Sequence, residues 1–159
     1  MATNIITRPA ITHYTVDVFF EAYASRVNDA LSGKGADIDA TVNAFAACFV
    51  EASPLGVICG KNDQAFRDAI PKGSAFYRET GMKAMVIEAR ELTVLNEQHA
   101  LVKIHWRSDH LTKEGKEISI PFEVIYLLQQ QDHGLKVFAY ITGDEKGAMK
   151  DAGVLPDSQ

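Results

Sequence analysis

Few side chains in this sequence are of a type and spacing that could do chemistry. Asp109-His110 lies near the end of an alternating run, where an inward imidazole beside a carboxylate could act as a general base. The same pair abuts the polar stretch from Lys113 to Lys116, which is equally the signature of a solvated strand end. Glu88 falls where Met85, Ile87 and Ala89 oppose Ala84, Val86 and Glu88, so its face is ambiguous. Turned into an apolar interior, its carboxyl would be pushed up and could shuttle protons. Trp106, Tyr126, Phe76 and Tyr77 could line an apolar ligand-binding pocket or form plain core; a buried Tyr126 hydroxyl would need a partner and could orient a ligand oxygen. His13 and Tyr14 precede the first helix and could close one end of the fold.

Other candidates fall away on spacing. Cys48 and Cys59 stand eleven positions apart without a CxxC pair or nearby histidines, so neither a metal site nor a disulfide is expected, only two reduced, buried thiols. Cys59 has no activating base in sequence. Leu31-Ser32-Gly33-Lys34-Gly35 lacks the spacing of a phosphate loop and reads as a helix stop. No metal and no organic cofactor is implied.

The elements that must position these residues follow from periodicity. Val16, Phe19, Phe20, Tyr23, Val27 and Leu31 recur in steps of three and four, predicting a helix over about 16–31 with Thr15 as N-cap and Asp17 in the first turn. Ile38, Val42, Phe45 and Phe49 predict a second helix ending before Ser53-Pro54. A short extended segment spans Gly56 to Gly60. A third helix, capped by Asn62 or Asp63, is expected to kink or break at Pro71 and to end at Gly81. From Lys83 the period becomes two, giving strands over about 83–96, 99–111, 117–131 and 135–142 joined by polar turns. Val102, Ile104, Trp106 and Ser108 face inward, as do Ile118, Ile120, Phe122, Val124, Tyr126 and Leu128, and then Leu135, Val137, Ala139 and Ile141. Ile125, Leu127, Phe138 and Tyr140 fall on the outer row.

Whole-chain properties bound the function. One domain is expected from 159 residues, with a core over about 13–144. A net charge of -5 argues against nucleic acid as a partner. The apolar runs are too short for a membrane span, and Met1 to Pro9 lacks a signal pattern, so a cytoplasmic protein is expected.

Gly60-Lys61-Asn62-Asp63-Gln64-Ala65-Phe66 after the early helices, followed by the long meander, resembles the nuclear transport factor 2-like superfamily. Ala100 to Arg107, Phe122 to Leu128 and Gly134 to Tyr140 are similar to sheet strands of its SnoaL-like (polyketide cyclase-like) members. The resemblance implies an α+β, cystatin-like fold: a cone-shaped, curved antiparallel sheet wrapped around three N-terminal helices, usually with a pocket between them. In the enzymes of that superfamily an acid or base projects from the sheet into the pocket. Where many members carry an inward histidine on the last strand, this sequence offers Ala139 and Ile141.

Three functions stay open. The first is a small-molecule-binding domain taking a hydrophobic ligand. The second is a cofactor-independent isomerase, cyclase or dehydratase using Glu88, His110 or Tyr126, and the third an association domain. Exposed apolar rows usually mark an interface, so Ile125, Leu127, Phe138 and Tyr140 are expected to pair two copies of the chain into a homodimer. The resemblance implies the same face.

Overall fold

Thr12 starts the first helix. In the computed structural model, which describes residues 8–156, the Thr12 hydroxyl accepts from the Thr15 amide and the Thr15 hydroxyl accepts from the Thr12 amide. This capping box satisfies donors that a first turn leaves open. Helix α1 (His13–Leu31) thus begins one turn before the expected Thr15 cap, and Asp17 pairs with Arg90 rather than serving the helix terminus alone. Its buried face carries Val16, Phe20, Ala30 and Leu31.

The second helix is cut short. Asp37 caps α2 (Ile38–Asn43), after which the expected helical continuation is instead strand β1 (Phe45–Ser53). Phe45 and Phe49 are four apart, a spacing that fits one helical turn and an even step along a strand equally well. β2 (Gly56–Lys61) returns antiparallel along β1 as the sheet edge. There Cys48 and Cys59 are free and exposed, not buried as expected, among other exposed positions of this hairpin.

Asp63 caps α3 (Gln64–Glu79), which runs through Pro71 unbroken, although the proline cannot donate to the Arg67 carbonyl. Gly81 then turns the chain at φ +84°, and a Cβ there would stand 2.3 Å from the Leu111 carbonyl oxygen. Strands β3 (Met82–Asn96), β4 (His99–Leu111), β5 (Glu117–Gln131) and β6 (Gly134–Ile141) match the expected spans to within a residue. A short α4 (Glu145–Asp151), not foreseen, follows.

The sheet order is β2-β1-β6-β5-β4-β3. β3 to β6 form an antiparallel meander, but β1 joins β6 in parallel, so the sheet is mixed rather than wholly antiparallel. It is curved and unclosed. Register shifts such as that between Ile87 and Ala89 bend it, as bulges do. The main core gathers Val102, Ile104 and Trp106 of β4, Val124, Tyr126 and Leu128 of β5, and Val16 and Phe20 of α1. A second cluster joins Leu31, Met82, Ile120 and Met149, and the tail residues Val154 and Leu155 pack against it.

One shift changes a face. Between Leu127 and Leu128 the β5–β6 register slips, so Leu128 pairs with Val137 while Leu127 pairs with Ala139. The extra residue reverses the alternation of β6. Tyr140 is therefore opposite Tyr126 and inside the cone, a correction to its expected outer position, and Ile141 is 45% exposed rather than core.

Candidate functional site

Between the inner sheet face and helices α1, α3 and α4 lies a cavity of about 820 Å³. Its wall is mostly apolar, with Phe45, Phe66 and Phe122 beside four tyrosines: Tyr23, Tyr77, Tyr126 and Tyr140. Each phenol comes from a different element. Tyr23 lies one helical step beyond Phe20 on α1, Tyr77 is in the last turn of α3, and Tyr126 and Tyr140 are cross-strand partners on β5 and β6.

Two of the phenols are tied to carboxylates. Tyr77 Oη donates to both oxygens of Glu145, at 2.7 and 2.9 Å, and Tyr140 Oη donates to Glu51 Oε2 at 2.9 Å. Glu145 stands in the first turn of α4, held there by the Asp144 cap, and Glu51 is the register partner of Tyr140 across the parallel β1–β6 pair. Deeper in, Trp106 Nε1 donates to Tyr126 Oη at 3.2 Å. An indole N–H can only donate, so the Tyr126 oxygen is the acceptor and its own hydrogen is directed elsewhere, with Tyr23 as the neighbouring phenol.

Burial sets the protonation of this cluster. It pushes all four phenols above the usual tyrosine range, with the negative charge of Glu145 adding to the effect on Tyr77 and that of Glu51 to the effect on Tyr140. All four are neutral hydrogen-bond groups at physiological pH. Desolvation raises the Glu145 carboxyl, the Tyr77 hydrogen bond opposes that rise, and the charge of Glu51 adds to it. Arg26 is lowered by desolvation and lies 5.7 Å from the centre of the Tyr23 ring. Among the described residues no group of three or more His, Cys, Asp or Glu could hold a metal ion.

The sequence matches the family described as NTF2-like protein (DUF6841) over residues 14–145, which takes in every element from α1 to the start of α4. The chain belongs to that NTF2-like family. Solved structures agree on the fold. An NTF2-like protein with a cystatin-like fold from Novosphingobium aromaticivorans superposes with a TM-score of 0.64 at 13% identity, covering 91% of this chain and 88% of that one. A ketosteroid isomerase-like protein from Erwinia carotovora gives 0.57 at 18%, over 82% and 93%. A Xanthomonas campestris protein named for the calcium/calmodulin dependent protein kinase II association domain gives 0.59 at 11%, over 89% and 96%. No curated protein matches the sequence.

Of the site residues expected from the sequence of this NTF2-like chain, Tyr77 and Tyr126 line the cavity, together with the newly inward Tyr140 and with Ile125, which was expected on the outer row. Trp106 is 1% exposed and sits behind Tyr126 in the core. Phe76 turns to a smaller cleft shared with Leu111, Val154 and Leu155. His110 is buried, its Nε2 3.0 Å from Ser108 Oγ, and it does not reach the cavity wall; burial holds it below the usual imidazole range. Its neighbour Asp109 belongs to the opposite face, pinned low by Arg107 and Ser119, so the two form no dyad. Glu88 is exposed and pairs with Arg107 on the outer face. Ile125, Leu127 and Phe138 are half-buried, the last edge-on to His99.

Glu51, Glu145 and Tyr23 were not singled out from sequence as functional. Tyr23 was legible only as one member of an apolar helical stripe. Glu145 carried the better signal, an Asp144 cap followed by acid in a first turn, which marks an additional helix.

Proposed function

We propose that this NTF2-like chain binds a small, largely apolar molecule within its cone, oriented by tyrosine hydroxyls. The observation that carries the reading is the cavity of about 820 Å³ with an aromatic wall and a few convergent polar groups, within the size and character of small-molecule sites. A neutral fluorophore, N-phenyl-1-naphthylamine, is expected to bind the folded chain with a stoichiometry near one. Ala148→Phe, which fills the cavity from α4, is expected to abolish that signal while circular dichroism stays unchanged. Absence of saturable binding by the unaltered protein overturns the reading.

A second reading, proton-transfer catalysis of the isomerase, cyclase or dehydratase kind, is favoured by Glu145. With Glu88 outside and His110 off the wall, Glu145 is the desolvated carboxyl positioned to take a proton, and Tyr126 or Tyr23 could donate to an oxyanion. Deuterium uptake from D2O into the α-carbon of cyclic ketones measures it. Glu145→Gln is expected to slow uptake about 100-fold.

Pairing of two copies is part of the proposal. The outer row keeps Ile125, Leu127 and Phe138 after the loss of Tyr140, Leu101 stands opposite Leu127, and the described tail packs on the second core cluster instead of over this face. Phe138→Lys is expected to halve the mass measured by light scattering without unfolding the chain; a monomeric mass for the unaltered protein excludes the dimer.

A further inference from the structure

The charges on the cavity wall are lopsided. Glu51 and Glu145 line the same cavity, and each accepts a hydrogen bond from a neutral phenol of its wall. Neither Arg26 nor Lys146 forms an ion pair with these two acids. Arg26 is the single Lys, Arg or His among the described lining residues; it lies over the Tyr23 ring, and the carboxylate acting on it is Asp37. Lys146, adjacent to Glu145 in sequence, has its Nζ 5.9 Å from the centre of the Phe76 ring; its charge still reaches Glu145 and opposes part of the rise there, but the two form no ion pair.

We propose that the ligand of this cavity is an apolar molecule bearing a cationic nitrogen, a protonated amine, whose N–H groups bridge Glu51 and Glu145. The proposal rests on the binding function argued above and specifies its substrate class. A carboxylate offers about four lone-pair sites, and one phenol donor leaves most of them open on Glu51. An ammonium has three donors, enough to meet both glutamates at once. Charge-assisted bonds of this kind gain strength in a partly desolvated site, and the approach of a cation relieves the mutual repulsion of the two acids. The aromatic wall adds to the selection. Tyr77 and Tyr140 hold the two carboxylates, and Phe45 lies edge-on to Tyr140 at 6.2 Å; aromatic rings attract a cation more strongly than they attract a neutral hydroxyl. The net charge of -5 draws cations toward the mouth and disfavours anionic ligands.

Three probes with one apolar body separate the possibilities: 2-(2-naphthyl)ethylammonium, 2-(2-naphthyl)ethanol and 3-(2-naphthyl)propanoate. Titration calorimetry at pH 7 and low salt is expected to show the ammonium binding about tenfold or more tighter than the alcohol, with the propanoate weakest. Glu51→Gln combined with Glu145→Gln is expected to bring the ammonium to the affinity of the alcohol while leaving the alcohol within about twofold. Each single replacement, should the double one fold poorly, is expected to remove part of the preference. Raising the salt is expected to weaken the ammonium alone. Equal affinity of ammonium and alcohol, or a preference that survives both replacements, overturns the amine assignment and leaves cavity binding intact. If none of the three binds, the cavity-binding reading falls and the amine with it.

Discussion

Glu145 is where the chemistry of this chain is most exposed to measurement. Its carboxyl is held above the ordinary value by desolvation, so the folded chain binds protons that the unfolded chain has released. Between those two values, from pH 4.5 upward, stability therefore falls as pH rises. Urea midpoints taken across that range are expected to show the decline, and Glu145→Gln to flatten it. Tyr77→Phe removes the one hydrogen bond that opposes the shift, so the carboxyl resonance of Glu145 is expected to titrate at higher pH in that variant. Trp106, fully enclosed and anchoring Tyr126, is a different case: Trp106→Ala is expected to cost about 3–5 kcal/mol by denaturation. At this scale alternation made the inward faces of Tyr126 and Trp106 legible, although Trp106 lies in the core behind the cavity wall and not on it. It missed the partners of Tyr77 and Tyr140, since a phenol and a carboxylate that meet across 68 or 89 positions leave no local pattern. Glu88 and His110 looked chemical because charge and type are visible in a string of letters, whereas the face each occupies is settled by neighbouring strands.

The elements were read best where the period was long and unbroken. β4 and β5 keep two-residue alternation over most of their thirteen and fifteen residues, and their limits, like those of the bulged β3, were legible almost to the residue. β1 was not, because two phenylalanines four apart satisfy both periods and α2 leads straight into it. β6 was legible as a strand but not in phase, since the slip opposite Leu127 depends on its pairing with β5. Gly81 shows how tightly one junction is built. A side chain there meets the backbone of Leu111 in a left-handed conformation, so Gly81→Ala is expected to destabilise the fold by about 2 kcal/mol or more in a urea titration. The β1–β2 hairpin has the opposite character. Cys48 and Cys59 are both expected to react with a thiol reagent in the folded protein, without denaturant and at rates near those of free thiols.

For the whole molecule the decisive feature is the parallel seam between β1 and β6. The meander from β3 to β6 is assembled from neighbours in sequence, but Phe45 finds its partner only at Val137. Contacts so distant along the chain form late, after the cost of closing the intervening loop has been met. Pulse-labelled hydrogen exchange during refolding is expected to protect β3, β4 and β5 amides before those of β1. On a ribosome the order is stricter still. β1 leaves the exit tunnel long before β6 is made, and until Gly134 to Ile141 emerges, Phe45 and Phe49 lack the Tyr140 ring that packs on both. The nascent hairpin is then an apolar ribbon without a seat, and the interval before β6 arrives is when this chain most needs a chaperone.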